Sequence, residues 1–117
     1  MPTVGSGRKD PAVKRFEVWR VRLDPAAGSE MQKTRPCVIV SPDPMNIRLR
    51  TVIVAPLTQG GFSAPFRVPC RFEDKAGQIA LDHLRAVDKA RLLDLSGTLE
   101  AATQAELLER LAEIFAE

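Results

Sequence analysis

A set of polar residues in this chain sits where apolar runs begin or end: Ser29, Glu30, Lys33, Thr34, Arg35, Thr58, Arg67, Asp82, His83 and Arg85. Arginine presents a planar fork of N–H donors that fits phosphate oxygens. Thr58 offers a hydroxyl, and Glu30 a carboxylate that can accept a proton. Side chains of these types, brought together, hold a phosphodiester and stabilise the charge that builds on it. The same residues also admit a purely structural reading, in which Arg35 pairs with Asp82 or Glu30 and anchors a loop.

Other chemistries are set aside. Gly60-Gly61 lacks the lysine and helix of a phosphate-cradling motif. Neither Cys37 nor Cys70 has a histidine beside it in a loop, which argues against a cysteine nucleophile. His83 is the only histidine, so one chain cannot hold a two-histidine acid–base pair. Two cysteines and one histidine match no usual zinc spacing. No metal and no cofactor is expected, and both cysteines read as buried free thiols.

The elements that must position these groups follow from hydrophobic periodicity. In RFEVWRVRL, Trp19, Val21 and Leu23 share one strand face and Arg20 and Arg22 the other. DPAAGSEMQKT reads as a loop. Arg35-Pro36 leads directly into the β-branched run CVIVS, a buried strand. SPDPMNIRLR reads as a second loop, because of its two prolines. TVIVAPL is a buried strand ending near Thr58, and QGGFSAP a third loop. FRVPCRF alternates cleanly, and Pro69 marks it as an edge strand. EDKAG is a turn and QIAL a short strand. DHLRAVDKARLLDLSG reads as strand, helical turn near Asp88-Lys89, then a last strand. A helix is expected over about 103–116, with Thr103 and Glu106 at capping-box spacing and Leu107, Leu108, Leu111, Ile114 and Phe115 as one apolar stripe. Short strands closed by one helix predict a mainly β fold, a small, bent antiparallel barrel.

The chain's 117 residues, 44% of them hydrophobic, suit a single domain over 15–117. Residues 1–14 read as a basic, mobile arm. Residues 1–22 carry six basic side chains against two acids, and residues 100–117 five glutamates against Arg110. The net charge of +2 names no partner, but its distribution predicts one positive face. There is no apolar core of a signal peptide and no run of membrane-spanning length, so a cytoplasmic protein with no membrane partner is expected.

The stretches EVWRVRLDPAAGSEMQKTRPCVIVS (17–41), TVIVAPLT (51–58), PFRVP (65–69) and GQIALDHLRAVDKARL (77–92) resemble the MazF/PemK toxin family in order and spacing. With their connecting loops they cover about two thirds of the chain. The resemblance implies an SH3-like barrel of the CcdB/MazF type that forms a homodimer. It implies a toxin of a toxin–antitoxin system, a growth-arresting mRNA interferase that cleaves single-stranded RNA at chosen sequences without a metal. The RNA's own 2′-hydroxyl would attack phosphorus, leaving a 2′,3′-cyclic phosphate and a 5′-hydroxyl. The family's catalytic arginine falls on Arg35, its threonine on Thr58, and the glutamate of its GSE element on Glu30.

Ser29, Gln32, Lys33, Thr34, Phe62, Arg67, Asp82, His83 and Arg85 are then expected to contact RNA, Phe62 by stacking. Some members carry a histidine at the Ser29 position and an arginine where this chain has Ala80, so the chain resembles the Arg/Thr branch. Many have glutamine where this one has His83, which is either an acid–base group or only a base contact. The proton acceptor is Glu30 or His83. The implied partner is an antitoxin with an acidic, extended C-terminal segment that would lie across the basic surface and displace the 24–34 and 59–65 loops. Three alternatives stand beside this: a gyrase poison of the same fold, whose C-terminal tryptophan is absent from LAEIFAE, a catalytically silent binding module, and a housekeeping processing ribonuclease with no toxin role.

Overall fold

The computed structural model describes residues 12–23 and 33–116. The elements run β1 (Glu17–Leu23), β2 (Lys33–Ile39), α1 (Asp43–Arg48), β3 (Thr51–Thr58), β4 (Arg67–Phe72), β5 (Lys75–Ala80), β6 (Arg85–Asp88), β7 (Leu92–Thr98) and α2 (Ala101–Ile114). Single 3₁₀ turns at Leu81–His83 and Lys89–Arg91 flank β6. The strands form one curled antiparallel sheet in the order β4-β5-β3-β2-β1-β7, with β6 also paired to β3. This is a mainly β half-barrel closed by a C-terminal helix, in agreement with the expected class.

Strand alternation builds two cores, one on each face of the curled sheet. Val18, Val38, Ala55, Leu57, Val68 and Ile79 gather beneath α2, which contributes the fully buried Leu107. Trp19, Val21, Cys37, Ile39, Val52, Val54 and Val87 form the other. β4 lies at one end of the sheet order, as Pro69 required. Glu73 and Asp74, at φ 53° and 64°, form the two-residue reversal between β4 and β5. Two successive left-handed residues match the twist of a tight hairpin.

The structure differs from the sequence reading in several details: Lys33 and Thr34, read as loop, open β2, and Lys75, Ala76 and Gly77, read as turn, open β5. SPDPMNIRLR contains the short helix α1, because Pro44 falls in the first helical turn, where a missing N–H costs nothing. Asn46 within it is buried, donates to the Ser41 carbonyl, and through its own carbonyl accepts a hydrogen bond from the buried Lys89 Nζ. Helix α2 begins at Ala101 rather than Thr103; Thr103 does not cap it, and Glu106 instead pairs with Arg110 one turn on. The apolar stripe of α2 is only partly buried, with Leu108, Ile114 and Phe115 exposed. At the other end of the domain, Val13, expected in the mobile arm, is buried in the second core. No helix among the described residues is long and apolar enough to cross a membrane.

Candidate active site

β2 and β3 are joined by the pairs Ile39–Val54, Val38–Ala55 and Cys37–Pro56. Continued, that register would set Arg35 opposite Thr58, but the ladder stops and the strands part. Pro36 and Pro56 stand at this point, and each lacks the N–H that a ladder needs. Beyond it β2 remains paired to β1, with Val21 opposite Arg35, while Leu57 and Thr58 of β3 pair with Ile79 and Gln78 of β5. Arg35 is therefore fixed through its backbone on one side and faces the opening on the other.

The opening is a cleft of about 350 Å³ lined by Leu23, Arg35, Pro56, Thr58, His83 and Arg85. Four residues expected in the site from the sequence thus meet in one place. Among the described residues two arginines and no carboxylate line it, which makes that lining positive. Among the described residues neither Arg35 nor Arg85 has a side-chain hydrogen bond or ion pair. The Thr58 hydroxyl donates to the Gly60 carbonyl at 3.1 Å, a bond that rotation about χ1 can exchange for another acceptor. Beneath the cations lies Cys37, whose thiol donates to the Arg35 carbonyl at 3.7 Å. Burial pushes this thiol up to about 12, against the pull of Arg35 and Arg85. Cys37 is thus a neutral packing group and not a nucleophile. Gly77 on β5 lies so close to the Thr58 carbonyl that a Cβ there would collide with it. The absence of a side chain at residue 77 is what lets β5 hold Thr58 in place.

Arg67, Asp82 and Phe62, expected to contact RNA, are instead brought together with one another. Arg67 donates from Nε and Nη2 to the two carboxylate oxygens of Asp82 at 2.7 and 3.0 Å. Its Nη1 reaches Gln78 Oε1 at 3.3 Å, and its guanidinium lies 4.3 Å from the Phe62 ring centroid. Gln78 Nε2 in turn donates to the Phe62 carbonyl at 2.7 Å, and Phe62 packs edge-on against Phe66. The Arg67 hydrogen bonds hold the Asp82 carboxyl below the ordinary carboxylate range, and the pairing raises Arg67. These residues form a clasp on the 59–66 loop. His83 Nε2 lies 3.5 Å from Asp82 Oδ2, which ties the clasp to the cleft.

The remaining expected residues are placed as follows. Thr34 is exposed on β2, and Lys33 begins that strand. Ser29, Glu30 and Gln32 lie outside the described residues. Of the basic front of the chain, Arg8 and Lys9 lie outside the described residues, while Arg20 pairs with Asp94 through two hydrogen bonds and Arg15 donates to the Val40 carbonyl. Leu23 and Pro56, the apolar walls of the cleft, were not foreseen as site residues. The only sequence signal for them was their place at strand ends beside Arg35 and Thr58. Among the described residues no group of His, Cys, Asp and Glu is arranged to hold a metal.

A curled half-barrel closed by a C-terminal helix is shared with solved toxins. MazF in a MazE–MazF structure from Deinococcus radiodurans superposes with a TM-score of 0.77, covering 90% of this chain and 96% of that one at 23% identity. A model of the PemK-like, MazF-like toxin of type II toxin–antitoxin systems matches residues 14–115, and the chain belongs to this family. Among its relatives, endoribonuclease MazF9 of Mycobacterium tuberculosis is 33% identical over 109 residues, 85% of this chain and 92% of that protein. Endoribonuclease PemK of Escherichia coli is 46% identical over 54 residues, which span 46% of this chain and 41% of that protein.

Proposed function

We propose that this chain is the toxin of a toxin–antitoxin pair, and that it acts as a metal-independent endoribonuclease on single-stranded RNA. The observation that carries this reading is the meeting of Arg35, Thr58, His83 and Arg85 in one cleft. Relatives named as endoribonucleases support it.

The scissile phosphate binds in the cleft. The ribose 2′-oxygen attacks phosphorus, the O2′–P bond forms and the P–O5′ bond breaks. The 2′-hydroxyl proton leaves to a base, and the departing 5′-oxygen gains a proton to become a hydroxyl. The products are a 2′,3′-cyclic phosphate and a 5′-hydroxyl end. Negative charge gathers on the non-bridging oxygens as this happens. Arg35 and the Thr58 hydroxyl stabilise it, with Arg85 adding positive potential. Arginine stays protonated and cannot be the base. Glu30 takes the 2′ proton in this scheme, and His83 contacts substrate, with a role as proton carrier as the competing assignment.

The same positive cleft suits the acidic, extended segment of an antitoxin, which would compete with RNA for it. The exposed apolar side chains Leu108, Ile114 and Phe115 support a homodimer.

The test is to incubate purified protein and Arg35→Ala with a long single-stranded RNA in EDTA and to map the new ends. Discrete cuts that leave cyclic phosphates and 5′-hydroxyls, and that vanish in the variant, support the reading. No cutting of a diverse pool overturns it and favours a silent module or a gyrase poison of the same fold.

A further inference from the structure

β3 ends at Thr58, but its neighbours do not end with it. β2 continues out to Lys33 on one side, and the β4–β5 hairpin extends past Thr58 to its reversal at Glu73-Asp74 on the other. The gap where a longer β3 would lie is a second cavity of about 220 Å³. Pro36, Leu57, Cys70 and Phe72 give it apolar walls, and Gln59 and Lys75 stand among the polar residues at its edge. The Phe72 ring is backed by Gly97 of β7, whose missing side chain leaves room for it.

This cavity and the cationic cleft share Thr58. Pro36 and Leu57 face the cavity, while their strand neighbours Arg35 and Pro56 face the cleft. The two spaces therefore lie on opposite faces of the sheet and meet at Thr58, where β3 ends. We infer that the cavity is a subsite for the nucleobase of a nucleotide flanking the cleaved phosphodiester. This rests on the endoribonuclease reading above.

Three observations favour a base over other occupants. A phosphate held at the Thr58 hydroxyl carries a ribose and base on each side, so one base must lie close to Thr58. The cavity offers one lysine and one carboxylate, Lys75 and Glu73, so it lacks the positive excess that a second phosphate would need. The Phe72 ring and Pro36 line one apolar-walled space, and the Gln59 amide, Lys75 ammonium and Glu73 carboxylate belong to residues of the same lining. Single-stranded RNA is read by this combination of stacking and edge hydrogen bonds. The half-buried Cys70 thiol, raised by desolvation, stays neutral on the cavity floor.

The experiment digests a randomised single-stranded RNA pool with the full chain and two variants, and sequences the new ends. Cys70→Phe fills the cavity; Lys75→Ala alters only its exposed edge. The unaltered protein is expected to favour one base at a nucleotide flanking the cut. Cys70→Phe should weaken that preference by about tenfold, the scale of one base contact, and leave preferences farther away intact. Lys75→Ala should change which base is favoured at the same position, and it decides the matter if Cys70→Phe does not fold. Cutting by both variants with unchanged flanking preferences overturns the subsite but not the nuclease. No cutting by the unaltered protein overturns both.

Discussion

Arg35 and Arg67 are the same residue type at comparable places, each near the start of a strand, and the structure treats them in opposite ways. Arg67 has a carboxylate, an amide and an aromatic face around it, and all of its donors point at this chain. Arg35 has its backbone set in a ladder, and among the described residues its side chain has no hydrogen-bond or ion-pair partner. An arginine left without a partner in a cleft keeps its N–H donors for a ligand. The comparison teaches that arginine content says little about nucleic-acid contact. What matters is which guanidinium groups the fold leaves unmatched.

The sharpest way to break this comparison is to remove each arginine in turn. Arg35→Ala should lower RNA cleavage by roughly 10²–10³-fold, the scale of losing one preorganised donor, with an unchanged circular dichroism spectrum and melting temperature. Thr58→Val, measured in the same assay, should cost about 10²-fold. Arg67→Ala should do the converse: a melting temperature lower by several degrees and faster amide exchange in residues 59–66, with a smaller loss of cleavage. A stable Arg67→Ala protein that no longer cuts would place Arg67 on the substrate after all.

His83 stands between the two regions, and replacing it sharpens the boundary. His83→Gln should leave cleavage within a few fold, because an amide keeps a hydrogen-bonding edge. A loss of about 10²-fold together with a changed pH profile would make His83 the proton carrier. The smallest effect concerns the clasp alone. Asp82 has its pKa lowered by Arg67, so it adds stability at pH values above the ordinary aspartate value of about 3.9, and that stability is lost as the pH falls through the lowered value. The melting temperatures of wild type and Asp82→Asn should therefore differ at neutral pH and converge in acid. A difference that persists at low pH would mean Asp82 acts through packing, not charge.

Much of this was readable in the sequence where a local rule governs. Alternation located β1 and β4, a continuous apolar run located β3, and the Arg-Pro junction marked where a loop becomes a strand. The pairing of Arg67 with Asp82 was not readable, because it spans fifteen residues and arises only when β4 meets the turn after β5. Helix α1 was missed because two prolines in SPDP resemble a loop signal, although a proline in a first helical turn is harmless. Thr103 had the right spacing for a capping box, but the helix started a turn-fraction earlier and left it inside.

Pro36 and Pro56 carry one more consequence. They interrupt hydrogen bonding where the two strands would otherwise zip together over the cleft. A search for thermostable variants would find these positions early, since an N–H restored at either one offers the sheet another rung. Such variants would be selected for toughness and would be harmless to the cell. In this protein, sturdiness and toxicity pull in opposite directions at the same two residues.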